Sequence, residues 1–452
     1  MHAAPSLLPS LRDFWKTCTA LFLGALALFL LEINHPAGVK FDEFHYVPSA
    51  KQFLALQENQ NWEHPPLGKE LMAIGIAIFG DQPLGWRFMS ALFGAFTLVG
   101  MYGLALSLFR SQRTALWVAA LTLLNHLLYV QARIGMLDTF MMAFLLPALA
   151  CWIEGSREAC SSRSRTQVLY LGGILFGLAI ACKWSAIVPW LGLLALSGIA
   201  LLLKSWGAHF TYKSHPHFSE NDSDFWTDLG WGDLTWKKAL FTLFILPFFV
   251  YSLTFLPFLF FNRAPAYTLW DLVLMQPKMW DGQLRVVTQH PYMSSWWGWP
   301  WLMRPIWYAF EKDPLDPGWV RGVLLIGNPW IMWTGIPAIL FCGWAWVRDR
   351  SRQAFWILLL YGLFYLPWAV IPRKITFYYY YYPAGMTLSL AAAFALSRLP
   401  WPKAHPRLAP DLPRWLYLAI AFLVFVYFFP VLSGMRIPAD SFTRWTWFRS
   451  WI

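Results

Sequence analysis

Eleven predominantly apolar runs recur along the chain, most of them near the ~20 residues an α-helix needs to cross the hydrocarbon core of a bilayer. They fall at about 15–33, 85–108, 114–131, 135–153, 167–182, 185–203, 239–261, 322–346, 353–371, 376–396 and 415–432. Backbone groups inside a bilayer have no water to bond, so a spanning segment must satisfy them as a helix or in a closed barrel. Runs of this length predict helices, and the expected fold class is an all-α polytopic membrane protein. Composition agrees. Of 452 residues, 58% are hydrophobic and only 13% charged, against about 25% charged in a soluble domain. The apolar stretch at about 70–80 is too short to span and is expected to lie in the interface or re-enter. The first run follows Arg12 and Lys16, as a signal peptide would. Glu32-Ile33-Asn34-His35-Pro36 then stands where a small-residue cleavage site would be, so this run is expected to be an uncleaved span.

The short loops set an orientation. Arg110 and Arg113, then Arg157, Arg163 and Arg165, then Arg348, Arg350 and Arg352, then Arg398, Lys403, Arg407 and Arg414 all fall on one side. Cytoplasmic loops carry an excess of Lys and Arg, so that side is cytoplasmic, with the N-terminus inside and the C-terminus outside. The same loops account for much of the net charge of +11, which therefore does not point to a nucleic-acid partner. Residues 1–432 form one transmembrane domain with outer loops at 35–84 and 263–321. A polar cytoplasmic loop (204–238) contains Glu220, Asp222 and Asp224, and 433–452 is an outer tail. The five cysteines have neither CxxC nor metal-ligand spacing and give no disulfide framework.

The residues able to do chemistry gather on the outer side. Asp42 and Glu43 stand in Phe41-Asp42-Glu43-Phe44-His45-Tyr46. Adjacent helical residues point about 100° apart, so one carboxylate can face a ligand as a base while the other pairs with a cation. In His64-Pro65-Pro66-Leu67-Gly68-Lys69 the prolines stop one helix and suit the first turn of the next. The free N–H groups of that turn suit an anion, and Lys69 there opposes the helix dipole unless an anion offsets it. Arg87 opens the second span, and Arg133 and Asp138 bracket the start of the fourth. Lys183 lies between the fifth and sixth, and Arg373 and Lys374 between the ninth and tenth. Ionisable groups near membrane depth are costly and usually pair or line a site. As a set they suggest a bound phosphate or pyrophosphate beside a carboxylate, with Lys374 read as a snorkelling interfacial residue. His290, Tyr292 and Arg304 accompany a Trp-rich stretch whose rings suit either sugar faces or lipid headgroups. His290 could orient an acceptor or take a proton. The hydroxyls of the run Tyr378–Tyr382 could bond a phosphate or the headgroup region, but the run is read first as part of an interfacial aromatic belt.

These segments, in this order, resemble the protein O-mannosyltransferases. The resemblance rests on Asp42-Glu43, His64 to Lys69, Trp86-Arg87-Phe88-Met89-Ser90-Ala91-Leu92-Phe93-Gly94, Arg133 to Asp138, Lys183-Trp184, His290 to Tyr308, and Arg373-Lys374-Ile375-Thr376-Phe377 with its tyrosines. It covers about residues 35–385 and implies a type C glycosyltransferase fold. Such enzymes transfer mannose from a polyprenyl phosphate (dolichyl in eukaryotes) to Ser or Thr hydroxyls on the extracytoplasmic face. Asp42 then matches the catalytic base, Glu43 the neighbour that helps hold the site, and Arg87 a basic residue near the donor phosphate. The chain lacks the β-trefoil MIR repeats of the eukaryotic enzymes, which implies a compact bacterial member in the inner membrane. Its tyrosine run is more uniform than the family's mixed aromatic tract.

The resemblance implies a donor whose isoprenoid tail lies between spans. Its phosphate would sit among Arg87, Lys183 and Arg373, with Lys69 or Arg133 assisting, while His64, Asp138, His290, Tyr292 and Arg304 support the site or the acceptor. The expected partners are the polyprenyl-phosphate-mannose donor, a protein or peptide acceptor and membrane lipids. No metal is required, although Asp42 and Asp138 could share a divalent ion, as hard carboxylates can. Other readings keep the donor and change the acceptor to lipid A, another lipid or a polysaccharide, or make the chain a partner subunit. A lipid-sugar transporter or flippase would tend to place polar groups near the midplane in repeats with broken helices. Here they gather at one face, and no internal repeat is visible.

Overall fold

The apolar runs become helices whose ends sit where capping chemistry puts them. The computed structural model describes residues 8–155, 162–205, 234–285, 290–313, 316–398 and 412–452. Most of the 204–238 loop, with Glu220, Asp222 and Asp224, lies outside the described residues, as do Arg157, Lys403 and Arg407. Helix α1 (Leu11–Leu30) starts at Ser10, whose hydroxyl accepts from the Asp13 N–H, and turns Cys18, Ala25 and Phe29 inward. Two short helices follow, α2 (Glu43–Leu54) and α3 (Leu67–Phe79). With 13 residues, α3 is about 20 Å long at 1.5 Å per residue, short of the ~30 Å hydrocarbon core. Gly80, at φ +83°, reverses the chain into α4 (Pro83–Phe109). Gly85 approaches so closely that a Cβ there would meet the Gly80 carbonyl oxygen at 2.0 Å.

The predicted span at 114–131 is two helices, α5 (Gln112–Leu123) and α6 (His126–Gln131). Asn125 breaks them: its side chain accepts from the Leu127 N–H and donates to the Gly385 carbonyl at 3.2 Å. Next come α7 (Leu137–Gly155), α8 (Ser162–Cys182) and α9 (Ile187–Ser205). One π turn over 241–245 joins α10 (Trp236–Leu240) to α11 (Leu246–Leu253). Pro247 has no N–H for the Leu243 carbonyl, and the Trp190 indole donates to that carbonyl instead. Helix α12 (Leu269–Leu284) lies in the 263–321 segment and begins with a Thr268/Asp271 capping box. The remaining helices are α13 (Pro329–Asp349), α14 (Arg352–Tyr365), α15 (Tyr382–Arg398) and α16 (Leu412–Ser433).

Among the described residues, eight helices are long and apolar enough to cross a membrane, which makes this a multi-pass membrane protein. The other three predicted spans are helical but shorter: the α5–α6 pair, α14 with 14 residues and α15 with 17. Length therefore supports eight spans and leaves the remaining three to packing. Arg110 and Arg350 end α4 and α13 in the left-handed region, at φ +53° and +51°. Each places a cation at the negative end of a helix, and Arg110 also pairs with Glu154 at 2.8 Å.

The fold is mostly helical but not all-α. Strands β1 (Ile306–Lys312), β2 (Trp319–Leu325) and β3 (Arg436–Pro438) form an antiparallel sheet in the order β1-β2-β3, with a register irregularity between Trp307 and Ala309. Residues 322–325, expected to open a span, belong to β2. A short continuous apolar run reads alike as a buried strand or a helix start, because periodicity does not separate them. The sheet packs on α6 and α16. The 433–452 segment supplies β3 and is tied down further: the Trp307 indole donates to the Trp451 carbonyl at 2.9 Å, and Trp451 to the Leu302 carbonyl at 2.6 Å. A smaller core joins α2, α3, α12 and 255–261 through Tyr46, Phe53, Met72, Ile76, Phe258 and Met279. The larger core holds the bundle and the tyrosines 378–382.

Candidate active site

Adjacent carboxylates in one helical turn point apart, and Asp42 and Glu43 separate accordingly. Glu43, in the first turn of α2, is fully buried. Its Oε1 accepts from Arg87 Nε at 2.7 Å and from the Gly135 N–H at 2.8 Å, and its Oε2 from Arg87 Nη2 and the Lys40 N–H, both at 2.8 Å. Arg87 is equally buried. Its Nη1 donates to the carbonyls of Ile33 (3.2 Å) and Pro36 (2.7 Å), and its Nη2 also to Gly38 (2.9 Å). All five guanidinium donors are thus committed. This corrects the expectation that Arg87 contacts the donor phosphate: it has no donor left to give. The pair is a strut that fixes the start of α2 against α4 and the turn before α7.

Asp42 immediately precedes α2 and keeps its carboxylate out of the helix cap. Its backbone carbonyl accepts from His45 and Tyr46, while Oδ2 accepts from the hydroxyls of Tyr46 and Tyr379, each at 3.2 Å. Tyr46 belongs to the smaller core and Tyr379 to the larger, so Asp42 sits where the two meet. Oδ1 has no hydrogen-bond partner among the described residues. Burial raises the Asp42 pKa, and the charges of Lys183 and His45 and the Tyr379 hydrogen bond oppose that rise. Phe41, just before it, adopts φ +50°, an unfavourable conformation for a bulky L-residue. Rings of Tyr308, Phe377, His290 and Tyr379 surround it at 4.9–5.8 Å. Such a conformation persists where its surroundings over-determine it, and here it aims the Asp42 carboxylate.

Opposite Asp42, the break between α8 and α9 turns Lys183 toward the first turn of α7. Its Nζ lies 2.7 Å from Asp138 Oδ2, and both are buried. Lys183 also faces the rings of Tyr379 (5.0 Å) and Tyr380 (5.6 Å). Arg373 approaches Tyr380 from the 371–376 turn, at 5.2 Å. One bond holds its guanidinium, Nη1 to Gln283 Oε1 at 3.1 Å, and the buried Nε has no partner among the described residues. His64 packs edge-on to Tyr46 at 5.7 Å. Burial lowers its pKa well below the usual range, and the charges of Lys183, Lys69 and Arg373 reinforce this. Lys374 is exposed, as a snorkelling residue would be.

Other predicted site residues hold the framework. Lys69 is buried and donates to the carbonyls of Asn61 and His64. Burial lowers its pKa to about 7 against the opposing pull of Glu63 and Glu70. It ties the 61–64 turn. Arg133 is buried too and donates to the carbonyls of Phe29, Leu31 and Leu432, at the C-terminal ends of α1 and α16. A cation suits those carbonyl-rich termini, and neither Lys69 nor Arg133 bonds Asp42, Asp138, Lys183 or Arg373 among the described residues. His290 accepts from the Tyr292 N–H at 3.1 Å, and Arg304 donates to the carbonyls of Pro291, Ser450 and Ile452 with its guanidinium 5.8 Å from the Tyr292 ring. Together these three brace the loop around Phe41, and none bonds Asp42, Asp138, Lys183 or Arg373. The tyrosines 378–382 are all buried and form no interfacial belt.

Sequence reasoning missed Tyr46 and Gln283 as site residues and placed Tyr379 and Tyr380 first in an interfacial belt. Tyr46 was findable, because i and i+4 share a helix face. Gln283 carries no local signal. Among the described residues no group of three or more His, Cys, Asp or Glu is arranged to hold a metal.

Comparison with known proteins bears on this arrangement. A family model described as dolichyl-phosphate-mannose-protein mannosyltransferase matches residues 81–261, and one described as the C-terminal four-transmembrane region of protein-O-mannosyltransferase matches 268–451. A Mycolicibacterium smegmatis protein named polyprenol-phosphate-mannose--protein mannosyltransferase is 27% identical over 474 residues, 91% of this chain and 87% of that protein. The Saccharomyces cerevisiae Pmt1-Pmt2 complex bound to the sugar donor superposes with TM-score 0.78 at 15% identity, covering 99% of this chain and 94% of that one. ArnT from Cupriavidus metallidurans bound to undecaprenyl phosphate superposes with TM-score 0.56 at 18% identity, covering 94% and 71%. These two structures establish the type C glycosyltransferase fold. With the two models spanning most of its length, the chain belongs to the protein O-mannosyltransferase family.

Proposed function

We propose that this chain transfers mannose from a polyprenyl-phosphate donor to Ser or Thr hydroxyls of proteins, with Asp42 as general base. The observation that carries the reading is a half-buried carboxylate with one unbonded oxygen, beside Lys183 and an Arg373 that retains free donors. The names of the relatives support the donor and acceptor classes. Asp42 takes the proton of the acceptor hydroxyl as its oxygen bonds the anomeric carbon. The bond from that carbon to the phosphate oxygen breaks, and the polyprenyl phosphate leaves with the electron pair. Attack opposite the leaving group inverts the centre, so a β-linked donor gives an α-mannoside. Lys183 and Arg373 stabilise the departing charge, and preorganised cations in a water-poor site do this effectively.

The step is proposed without a divalent ion, because Lys183 already neutralises Asp138, the carboxylate that would share a metal with Asp42. The direct test incubates purified protein with labelled polyprenyl-phosphate mannose and a Ser/Thr-rich peptide, with and without EDTA. Label is expected in the peptide under both conditions. Label found only in lipid or glycan would replace the acceptor, and loss of transfer with EDTA would overturn the metal-free step. Arg373→Ala is expected to raise the donor KM roughly 10- to 100-fold, the range for losing a hydrogen bond to a charged group, with the acceptor KM nearly unchanged. The opposite pattern would remove Arg373 from the donor site.

The site is proposed to face away from the cytosol, in a bacterial inner membrane. Exposed Lys374 and Arg348 mark the two sides. In intact cells an impermeant maleimide should label Lys374→Cys, and should label Arg348→Cys only after permeabilisation. Reversed labelling would reverse the topology.

A further inference from the structure

Gln283 lies in the last turn of α12 and joins three segments through one amide. Its Oε1 accepts from Arg373 Nη1 at 3.1 Å, and its Nε2 donates to the Glu63 carbonyl at 3.0 Å and lies 3.3 Å from His64 Nε2. The 61–64 turn that supplies Glu63 is itself fixed by Lys69, through the carbonyls of Asn61 and His64. The seat of α12 on that turn is close: a Cβ at Gly282 would meet Glu63 and Trp62 side-chain atoms at 2.9 Å. A rigid chain therefore runs from Lys69 through the turn and Gln283 to Arg373. At its end the guanidinium has a single hydrogen bond and a buried Nε without a partner among the described residues. A side chain here must accept from a cation and donate to a carbonyl at once, and a neutral amide does both.

We infer that Gln283 is a positioning residue for the donor: it fixes the Arg373 guanidinium in the orientation that meets the phosphate. This rests on the reading of Arg373 as a donor ligand. Leucine of similar size would release the guanidinium toward other partners. Glutamate would hold it but compete with the phosphate for its charge and lose the bond to Glu63. Either change should act on donor KM before it acts on turnover.

The test is a double-mutant cycle in the purified full chain, with donor KM, acceptor KM and kcat measured for Gln283→Leu, Arg373→Ala and the double variant. Gln283→Leu is expected to raise donor KM about tenfold with acceptor KM and kcat within about twofold. On the Arg373→Ala background the same change should add little, because residues acting as one unit are non-additive. Fold-increases that multiply, or an equal loss in acceptor KM and kcat, would overturn the inference. Should Gln283→Leu fail to fold, Gln283→Glu takes its place in the cycle with the same expectation. Should Arg373→Ala leave donor KM unchanged, the donor-site reading itself fails and the inference falls with it. That outcome is distinct from the additive one.

Discussion

Asp42→Asn is expected to lower turnover by about 10²–10⁴-fold, the usual contribution of a positioned general base, while donor KM stays within a few-fold. The amide keeps the shape and still accepts from the Tyr46 and Tyr379 hydroxyls that hold the carboxylate. Only the ability to take a proton is lost, so kcat should fall with little change in stability. The pH profile gives a second reading of the same group. A base works only when ionised, so the rate falls as pH drops through its pKa. Burial raises the Asp42 pKa, and the acid limb should therefore lie above the ordinary carboxylate value of about 4. Lys183 is the largest influence holding that pKa down, so Lys183→Gln should move the limb further toward neutrality. An acid limb that stays in place, or Asp42→Asn with near-normal turnover, would remove Asp42 as the base.

Much of this architecture was legible in the sequence because a bilayer leaves few choices. Long apolar runs had to be helices, and α1, α4, α7 and α16 lie close to where length and charge put them. The strands were illegible, since Gly322 to Leu325 is as apolar as the start of a span and the partner strand Arg436–Pro438 lies far away in the chain. At the site, the chemical kinds were readable and the assignments less so. Asp42, Asp138, Lys183 and Arg373 converge as expected. Arg87, Lys69 and Arg133 look the same in a sequence, as cations in apolar surroundings. What separates them is how many donors the local backbone consumes. Backbone carbonyls at 33–38 take donors of Arg87, those at 61–64 hold the Lys69 ammonium, and those at 29–31 and 432 hold part of the Arg133 guanidinium, and no spacing rule foretells that. Gln283 was invisible for the converse reason, because its importance lies wholly in what the fold brings to it.

Arg87 separates the two accounts most sharply. Were it a phosphate ligand, Arg87→Ala would give a stable protein with weakened donor binding. The geometry predicts a different outcome. Arg87 and Glu43 are both fully buried and bonded at 2.7 and 2.8 Å, and removing one partner leaves the other charge uncompensated in the interior. Such losses cost about 3–5 kcal/mol. The carbonyls of Ile33, Pro36 and Gly38 lose their donor as well. Arg87→Ala should therefore lower both the yield and the melting temperature in detergent, and reduce turnover far more than donor affinity, because the start of α2 that carries Asp42 comes loose. Replacing both charges by methionine should recover part of the stability, since no lone buried charge remains. It should not recover turnover, because the Gly135 and Lys40 N–H groups lose the carboxylate that oriented them. Thermal melts of Arg87→Ala and of the double methionine variant, alongside donor KM, decide the matter. A well-folded Arg87→Ala protein with the parent's melting temperature and only a raised donor KM would return this arginine to the phosphate.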